Sequence, residues 1–367
     1  MDILEATLAL ARAEGLHARQ LREPDLLQDP RCLIGRPIKE LLELGIRPRA
    51  ATWLSSPDRA LLAADRRWIE DEQVQVLRWG SPEYPGRLAE IADPPATLLV
   101  RGSVATLMRP QMAIIGSRHP TPAGCRTAGE FAGRLAEAGL VVTSGLALGI
   151  DAAAHEGALA RGHTIAVVGT GLDSVYPPEN RALQDRILAS GGAVISEFER
   201  GAPPLPAHFP RRNRIISALS LGVLVIEAAR RSGSLITARL AGDQGRGVYA
   251  VPGSIYSPQS HGCHALIRQG AQLVETPDEI LADIGFVIDK QEVKGTQTTP
   301  GNPVQEAPRL DKGAEILLDA LGFDLVGVDE LIARTGLSSQ ILAPTLLWLE
   351  LSGVIALHSG GRYQRVR

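Results

Sequence analysis

Several features of secreted and membrane-inserted chains are missing from this sequence. Its 367 residues hold three cysteines, Cys32, Cys125 and Cys263, far apart and odd in number. They form neither a CxxC pair nor a zinc spacing, so neither a disulfide framework nor a structural zinc site is expected. Sparse, unpaired cysteine fits a reducing compartment. No run of about 18 apolar residues occurs, so no membrane-spanning helix is expected. The chain opens Met1-Asp2-Ile3-Leu4-Glu5, acidic where a secretory leader is basic. The expected location is the cytoplasm. An excess of one charge is also lacking. Lys and Arg number 38 against 41 Asp and Glu, a formal net charge of -3. The chain as a whole is not a basic nucleic-acid coat, and any nucleic-acid site must be a local patch.

Two phosphate-binding signatures are absent as well. Nothing reads GxxxxGK[ST], so a P-loop ATPase is not expected. The first turn of the central region reads Gly116-Ser117-Arg118-His119-Pro120-Thr121-Pro122-Ala123-Gly124 rather than GxGxxG. The next strand ends in Thr143-Ser144, with no acid to hold a ribose. Dinucleotide binding therefore lacks both of its markers, and no cofactor or metal is expected.

What is present is an ordinary globular composition, 44% hydrophobic and 22% charged, long enough for two or three domains. Residues 1–80 carry leucines at roughly helical spacing (Leu8, Leu10, Leu16, then Leu41, Leu42, Leu44) and show no strand alternation. Five prolines, from Pro24 to Pro57, divide the segment into short helices. From 81 to 286 one unit repeats, a short apolar run followed by a helical stretch. The runs are Met112–Ile115, Leu140–Val142, Thr164–Val168, Ala193–Ile195, Val223–Ile226 and Val248–Val251. Strands apolar on both faces are covered by helices on both sides, which describes a doubly wound, mostly parallel α/β sheet. Residues 287–308 are polar, with Gly, Pro and Thr, and read as a flexible linker. Residues 309–367 read as three helices and a hairpin, a winged helix.

Ligands in such a sheet sit beyond the carboxyl ends of the strands. Arg118 puts a permanent cation with a planar hydrogen-bonding fork at the first of these turns, suited to a phosphodiester. Its alternative is a salt bridge to a neighbouring loop. The stretch His208-Phe209-Pro210-Arg211-Arg212-Asn213-Arg214 sets three arginines beside an aromatic ring with no acid nearby in sequence. Unpaired burial of such cations is costly, so they are expected to face solvent or an anion. Cations beside an aromatic platform suit a single-stranded nucleic acid, which needs backbone neutralisation and base stacking. Only some of them can face one ligand, because the helix that begins here turns them apart. Asp151 and His155 lie four apart on one helix face, the geometry of an acid–base pair or of two metal ligands. A helix cap and an internal hydrogen-bonder are the simpler reading. Glu197 and Glu227, at strand ends, read as partners for arginines or loop N–H groups rather than as catalytic acids.

These residues, taken in order, resemble the DNA-processing protein A family (DprA, also called Smf). The matching blocks include Tyr84-Pro85, Ile115–Arg118, Ser144–Ala147 with Gly149–His155, Gly169–Asp173 with Tyr176-Pro177, Phe209–Ile216, Ser232–Thr237 and Val251–Ser254 with Gly262–His264. The match spans about 81 to 275. The resemblance implies an extended Rossmann-like domain that binds single-stranded DNA, with a helical N-terminal domain of the SAM or helix-hairpin-helix kind and an optional winged helix. It implies a non-catalytic protein that shields incoming single strands in natural transformation and helps load a RecA-type recombinase. It also implies a homodimer. Gly116, Ser117, Arg118, Phe209, Arg211, Arg212, Asn213 and Arg214 would line the DNA groove. His264, Ile267 and Leu273 would contribute to the dimer interface. Where some relatives carry lysines this chain has Leu148, Pro178 and Pro206. The groove is therefore expected to be less basic, with Arg181 and Arg212 as compensating cations.

From Arg309 onward six basic side chains stand against seven acidic ones. The third helix of this module is leucine-rich, carries Pro344, and offers only Gln340 near its start for base reading. Contact with a protein, or weak backbone contact through Arg362, Arg365 and Arg367, is expected there. Two other classes are weighed. A nucleotide or nucleoside-phosphate hydrolase on a Rossmann-like fold would need a catalytic acid after a Gly-rich turn, and Pro252-Gly253-Ser254 is followed by none. A ligand-sensing transcription regulator would need a polar reading helix.

Overall fold

A computed structural model describes residues 1–16, 18, 29–286, 312–322, 325–358 and 360–366. The expected linker, 287–308, lies outside the described residues. The chain divides into two compact units, Met1–Ile288 and Asp289–Arg367.

The first unit is built on a nine-stranded sheet. Its strands are β1 (Val74–Arg78), β2 (Thr97–Gly102), β3 (Gln111–Ile115), β4 (Val141–Ser144), β5 (Thr164–Val167), β6 (Ala193–Ser196), β7 (Gly222–Val225), β8 (Gly247–Ala250) and β9 (Gln272–Leu273). Their spatial order is β1-β2-β6-β5-β4-β3-β7-β8-β9. The seven from β6 to β9 pair in parallel, and β1 and β2 add an antiparallel edge. The main helices are α1 (Ile3–Ala11), α2 (Ile38–Glu43), α3 (Pro48–Ser55), α4 (Arg59–Asp71), α5 (Pro122–Glu137), α6 (Ile150–Leu159), α7 (Arg181–Ala189), α8 (His208–Leu219), α9 (Ser234–Asp243), α10 (His261–Arg268) and α11 (Pro277–Asp283).

Successive strand residues point to opposite faces, and both faces are covered. Ala113, Ile115, Val223 and Val225 meet Ile215, Ile216, Ala238 and Cys263 of α8, α9 and α10. Met112, Ile114, Val142 and Leu224 meet Phe131, Leu135 and Ala154 of α5 and α6. That double cover is why the strands read as unbroken apolar runs. From β3 the chain winds outward through β4, β5 and β6. It then returns to β7 on the other side of β3 and winds away through β8 and β9. The carboxyl ends of β3 and β7 therefore flank a crevice at the point where the winding reverses.

The N-terminal helices pack on this sheet, since Leu8, Leu62 and Ile69 share a cluster with Leu99, Ala166 and Val194. The expectation that residues 1–80 carry no strand is corrected. Val74–Arg78 pairs antiparallel with β2. The run is only five residues long and buries just Val74 and Leu77 fully, too little pattern to separate it from the end of the preceding helix.

In the second unit α12 (Lys312–Leu321), α13 (Val328–Thr335) and α14 (Ser339–Leu351) precede β11 (Ile355–His358) and β12 (Arg362–Arg365), and β10 (Val326–Gly327) completes a three-stranded sheet. Leu317, Leu331, Leu342, Leu346, Leu349 and Ile355 form its core. Ile341, Leu347, Trp348 and Leu351 leave the outer face of α14 apolar and exposed. Among the described residues no helix is long and apolar enough to cross a membrane. No group of three or more His, Cys, Asp or Glu among them is placed to hold a metal.

Candidate nucleic-acid interface

The crevice opens on the turn after β3. Gly116 is required there by close approach, because a Cβ would stand 2.6 Å from Ile150 and 2.9 Å from the Glu227 carbonyl oxygen. The Ser234 hydroxyl donates to the Gly116 carbonyl at 2.6 Å. The Ser117 hydroxyl accepts from the His119 N–H at 3.0 Å, and the Ser117 carbonyl accepts from the Ile150 N–H at 3.1 Å. Between these anchors Arg118 is exposed, and its guanidinium lies over the Phe209 ring, 5.5 Å from the centroid. Such a contact contributes on the order of 0.5–1 kcal/mol at an exposed site, enough to orient the cation without burying it. Phe209, in the first turn of α8, also meets Tyr176 at 5.7 Å and a 44° tilt. Gly169, just past β5, gives the ring room, since a Cβ there would be 3.2 Å from it. Around these groups is a cleft of about 560 Å³ whose lining includes Gly116, Ser117, Arg118, Asp151, Phe209, Arg212, Asn213, Arg231, Ser234 and Gln259.

Arg212 forms part of the floor. It is 4% exposed, and its guanidinium lies 6.0 Å from the Phe209 centroid, on the same ring as Arg118. It donates to the carbonyls of Gly145 (2.7 Å) and Val167 and to the Asn213 side-chain oxygen (3.2 Å). The Gly145 N–H donates to Asp151 at 3.1 Å, so the two backbone polar groups of one residue are held by a buried cation and a buried anion. A Cβ on Gly145 would stand 2.7 Å from both. Burial pushes the Arg212 pKa down to about 10, against the opposing field of Asp151, and the side chain stays charged at neutral pH. Burial raises the Asp151 pKa, opposed by Arg212 and by N–H donors from Ala147 and Gly145. Asp151 therefore serves the loop before α6 rather than the helix end. His155, one turn on, meets the Thr164 hydroxyl through Nδ1 at 2.7 Å. Its Nε2 is buried with no hydrogen-bond partner among the described residues.

The expectation that Arg211, Arg212 and Arg214 face solvent or an anion holds for exposed Arg211, but the premise that no acid is near is corrected, and Arg212 and Arg214 are buried. Arg214 is nearly buried and grips Glu197 with two bonds, of 3.0 and 2.7 Å. It also reaches Asp93 at 3.4 Å. Arg211 approaches the same Glu197 oxygen at 3.1 Å and lies over Phe198. Arg212 is satisfied by the carbonyls described above. The acid was hidden by sequence distance, because Glu197 ends β6 well before α8 begins. Its reading as a partner for arginines describes what it does. Glu227 accepts from the N–H (2.9 Å) and the hydroxyl (2.6 Å) of Thr121. A Cβ on Gly124 would be 2.5 Å from its carboxyl carbon. A side-chain carboxylate thus fills the α5 N-terminus, the position where a dinucleotide fold receives phosphate. The acids a hydrolase would draw on are held in these structural contacts.

The structure therefore brings Gly116, Ser117, Arg118, Phe209, Arg212 and Asn213 together. Arg211 and Arg214 lie behind them, outside the cleft lining. Arg181 is exposed at the start of α7 and is likewise not among the lining residues. His264 and Ile267 lie half-buried on α10, and Leu273 is exposed on edge strand β9. Sequence reasoning did not assign Tyr176, Arg231, Ser234 or Gln259 to the site. Tyr176 and Ser234 stood inside quoted blocks, and Arg230-Arg231 is a visible basic pair just past β7.

A family model described as DNA recombination-mediator protein A matches residues 75–285, and one described as DprA winged helix domain matches 301–361. Protein Smf of Escherichia coli is 41% identical over 330 residues, 89% of this chain and 87% of that protein. The X-ray structure of DNA processing protein A from Streptococcus pneumoniae is similar with a TM-score of 0.67 and 37% identity, over 77% of this chain and 99% of that one. A DNA processing protein A structure from Helicobacter pylori, described for its single-stranded DNA binding mode, gives 0.53 and 32%, over 58% and 95%.

Proposed function

The chain belongs to the DNA recombination-mediator protein A family, and from that premise we propose that it binds single-stranded DNA in the cleft beside Arg118 and Phe209. The observation that carries this reading is an exposed arginine stacked on an aromatic ring at the mouth of the crevice. Arg118 makes no ion pair among the described residues, so its charge is available to a phosphate. The half-buried Phe209 ring offers a base an apolar surface beside the cation, and base–aromatic stacking contributes about 1–3 kcal/mol per base. Gly116 and Ser117 let the backbone approach the strand, and Asn213 adds a polar contact. Arg212 supports Phe209 from below, and Arg211 and Arg214 fix α8 through Glu197. Arg181 extends the positive surface along the strand's path.

In this reading the protein carries out no chemical step. It acts in the cytoplasm, shields single strands taken up in natural transformation and hands them to a RecA-type recombinase. Two copies associate through the α10 and β9 corner that carries His264, Ile267 and Leu273. The apolar outer face of α14 suits a protein contact better than the reading of duplex bases, which calls for polar side chains.

The test is an equilibrium titration of a labelled 30-nucleotide strand and its matched duplex at two salt concentrations. The expected result is salt-sensitive preference for the single strand, weakened about tenfold in Arg118→Ala with thermal stability unchanged. Equal or better duplex binding that ignores Arg118 would move the activity away from the cleft.

A further inference from the structure

Beyond Gln259 the cleft wall continues into a loop that no role has yet been given, 252–260. Within it Tyr256 is 86% exposed and Ile255 is 68% exposed. The backbone that presents them is pinned on both sides. His264 Nε2 meets the Gly253 carbonyl at 3.0 Å, and His261 Nε2 meets the Ile255 carbonyl at 3.0 Å. The Gln259 carbonyl accepts from the Ala228 N–H at 2.7 Å. The Gln259 side chain donates to the His119 carbonyl at 3.0 Å, next to Arg118. The backbone under the ring is therefore held, and the ring itself stands in water, three residues, or at most about 10 Å of chain, from the cleft lining. Facing the same crevice, the loop after β7 carries Arg230 and Arg231. Both are exposed and make no ion pair among the described residues. Glu227, the adjacent acid, is engaged with Thr121.

We propose that Tyr256 and Arg231 form a second single-strand subsite, which takes the next base and phosphate as the strand leaves the Arg118–Phe209 mouth. The two residues offer the same kinds of group as the first subsite, a cation and an aromatic ring, with Arg231 and Gln259 both in the cleft lining. Because the loop backbone is already held, only the two side-chain torsions of Tyr256 are ordered when a base stacks on it, which favours a strand as its occupant. The inference rests on the cleft binding DNA.

The experiment measures affinity for fluorescein-labelled dT30 at two salt concentrations with full-length wild type, Arg118→Ala, Tyr256→Ala, Tyr256→Phe and Arg231→Ala. Tyr256→Ala is expected to weaken binding about tenfold, and Tyr256→Phe to restore it to within about twofold, because the ring and not the hydroxyl is used. Arg231→Ala is expected to lower the log–log salt slope by about 0.7. Cross-linking from 5-iodouracil strands is expected to land on Tyr256. If Arg118→Ala weakens binding while the Tyr256 and Arg231 variants match wild type, the second subsite is wrong and the cleft stands. If none of the variants changes affinity, the cleft reading itself fails. If Tyr256→Ala leaves affinity intact but lowers the mass measured by light scattering, the loop is a contact between two copies, and the proposal is overturned.

Discussion

At the residue scale the candidate site separates a cation left open to the cleft from cations that hold the fold. Arg118 and Arg214 lie at the ends of one basic constellation, and their surroundings give them opposite duties. Arg118 is exposed with only a ring beneath it, so its loss should cost binding and not stability. Arg214 is gripped by both oxygens of Glu197, whose side chain is 2% exposed. Removing one charge from a buried pair leaves the other uncompensated, at a cost of about 3–5 kcal/mol. Glu197→Gln is accordingly expected to lower unfolding stability by about 3 kcal/mol, read as a shift in urea midpoint, with no loss from Arg118→Ala in the same assay. A Glu197→Gln protein as stable as wild type would show that the pair is not the fastening it looks to be. The three arginines were legible in the sequence as a basic cluster beside an aromatic ring. Which of them the fold holds was not, because Glu197 and the carbonyls of Gly145 and Val167 come from other parts of the chain.

At the element scale helix α6 explains the Asp151–His155 spacing. It packs closely on α5, and a Cβ on Gly157 would collide with the backbone of Gly129. Its polar residues are drawn under the cleft floor, Asp151 to the Gly145 loop and His155 to Thr164. Burial, reinforced by the field of Arg212, pushes the His155 pKa down to about 3 from an ordinary value near 6.5. The unfolded chain takes up this proton first, so the contribution is complete above about pH 6.5 and is lost progressively as pH falls toward 3. Between pH 7.5 and 5.5 the expected loss is about 1.4 kcal/mol. His155→Gln should remove most of that dependence. Urea midpoints of both proteins at the two pH values measure it, and equal losses would mean that His155 is not the titrating group. The helix, and the shared face of these two residues, could be read from spacing. Burial decided against an acid–base pair, because it encloses His155 completely, while Asp151 at the cleft lining is taken up by the Gly145 and Ala147 N–H groups.

At the scale of the whole molecule the two units keep separate cores. The second is closed by Leu317, Leu331, Leu346 and Leu349 of its own helices, and the cleft is lined from the first unit alone. A chain ended after residue 286 is therefore expected to fold and to keep its dT30 affinity within about threefold, as circular dichroism and titration would show. A loss of tenfold or more would place part of the DNA site on the winged helix. The sequence by itself determined the class of fold, because double-sided burial writes unbroken apolar runs at regular spacing, and turn residues such as Gly139 mark where helices stop. It also put Arg118 at a strand end, the place where such sheets bind ligands. Tertiary structure alone decided which charges are spent. Ion pairing depends on distance in space, and Glu197, Asp151 and Glu227 reach their partners only after the sheet has formed. It decided the short edge strand β1 as well, and brought Arg231 and Gln259 into one cleft with Arg118, because an edge pairing and the lining of a crevice exist only once distant segments meet.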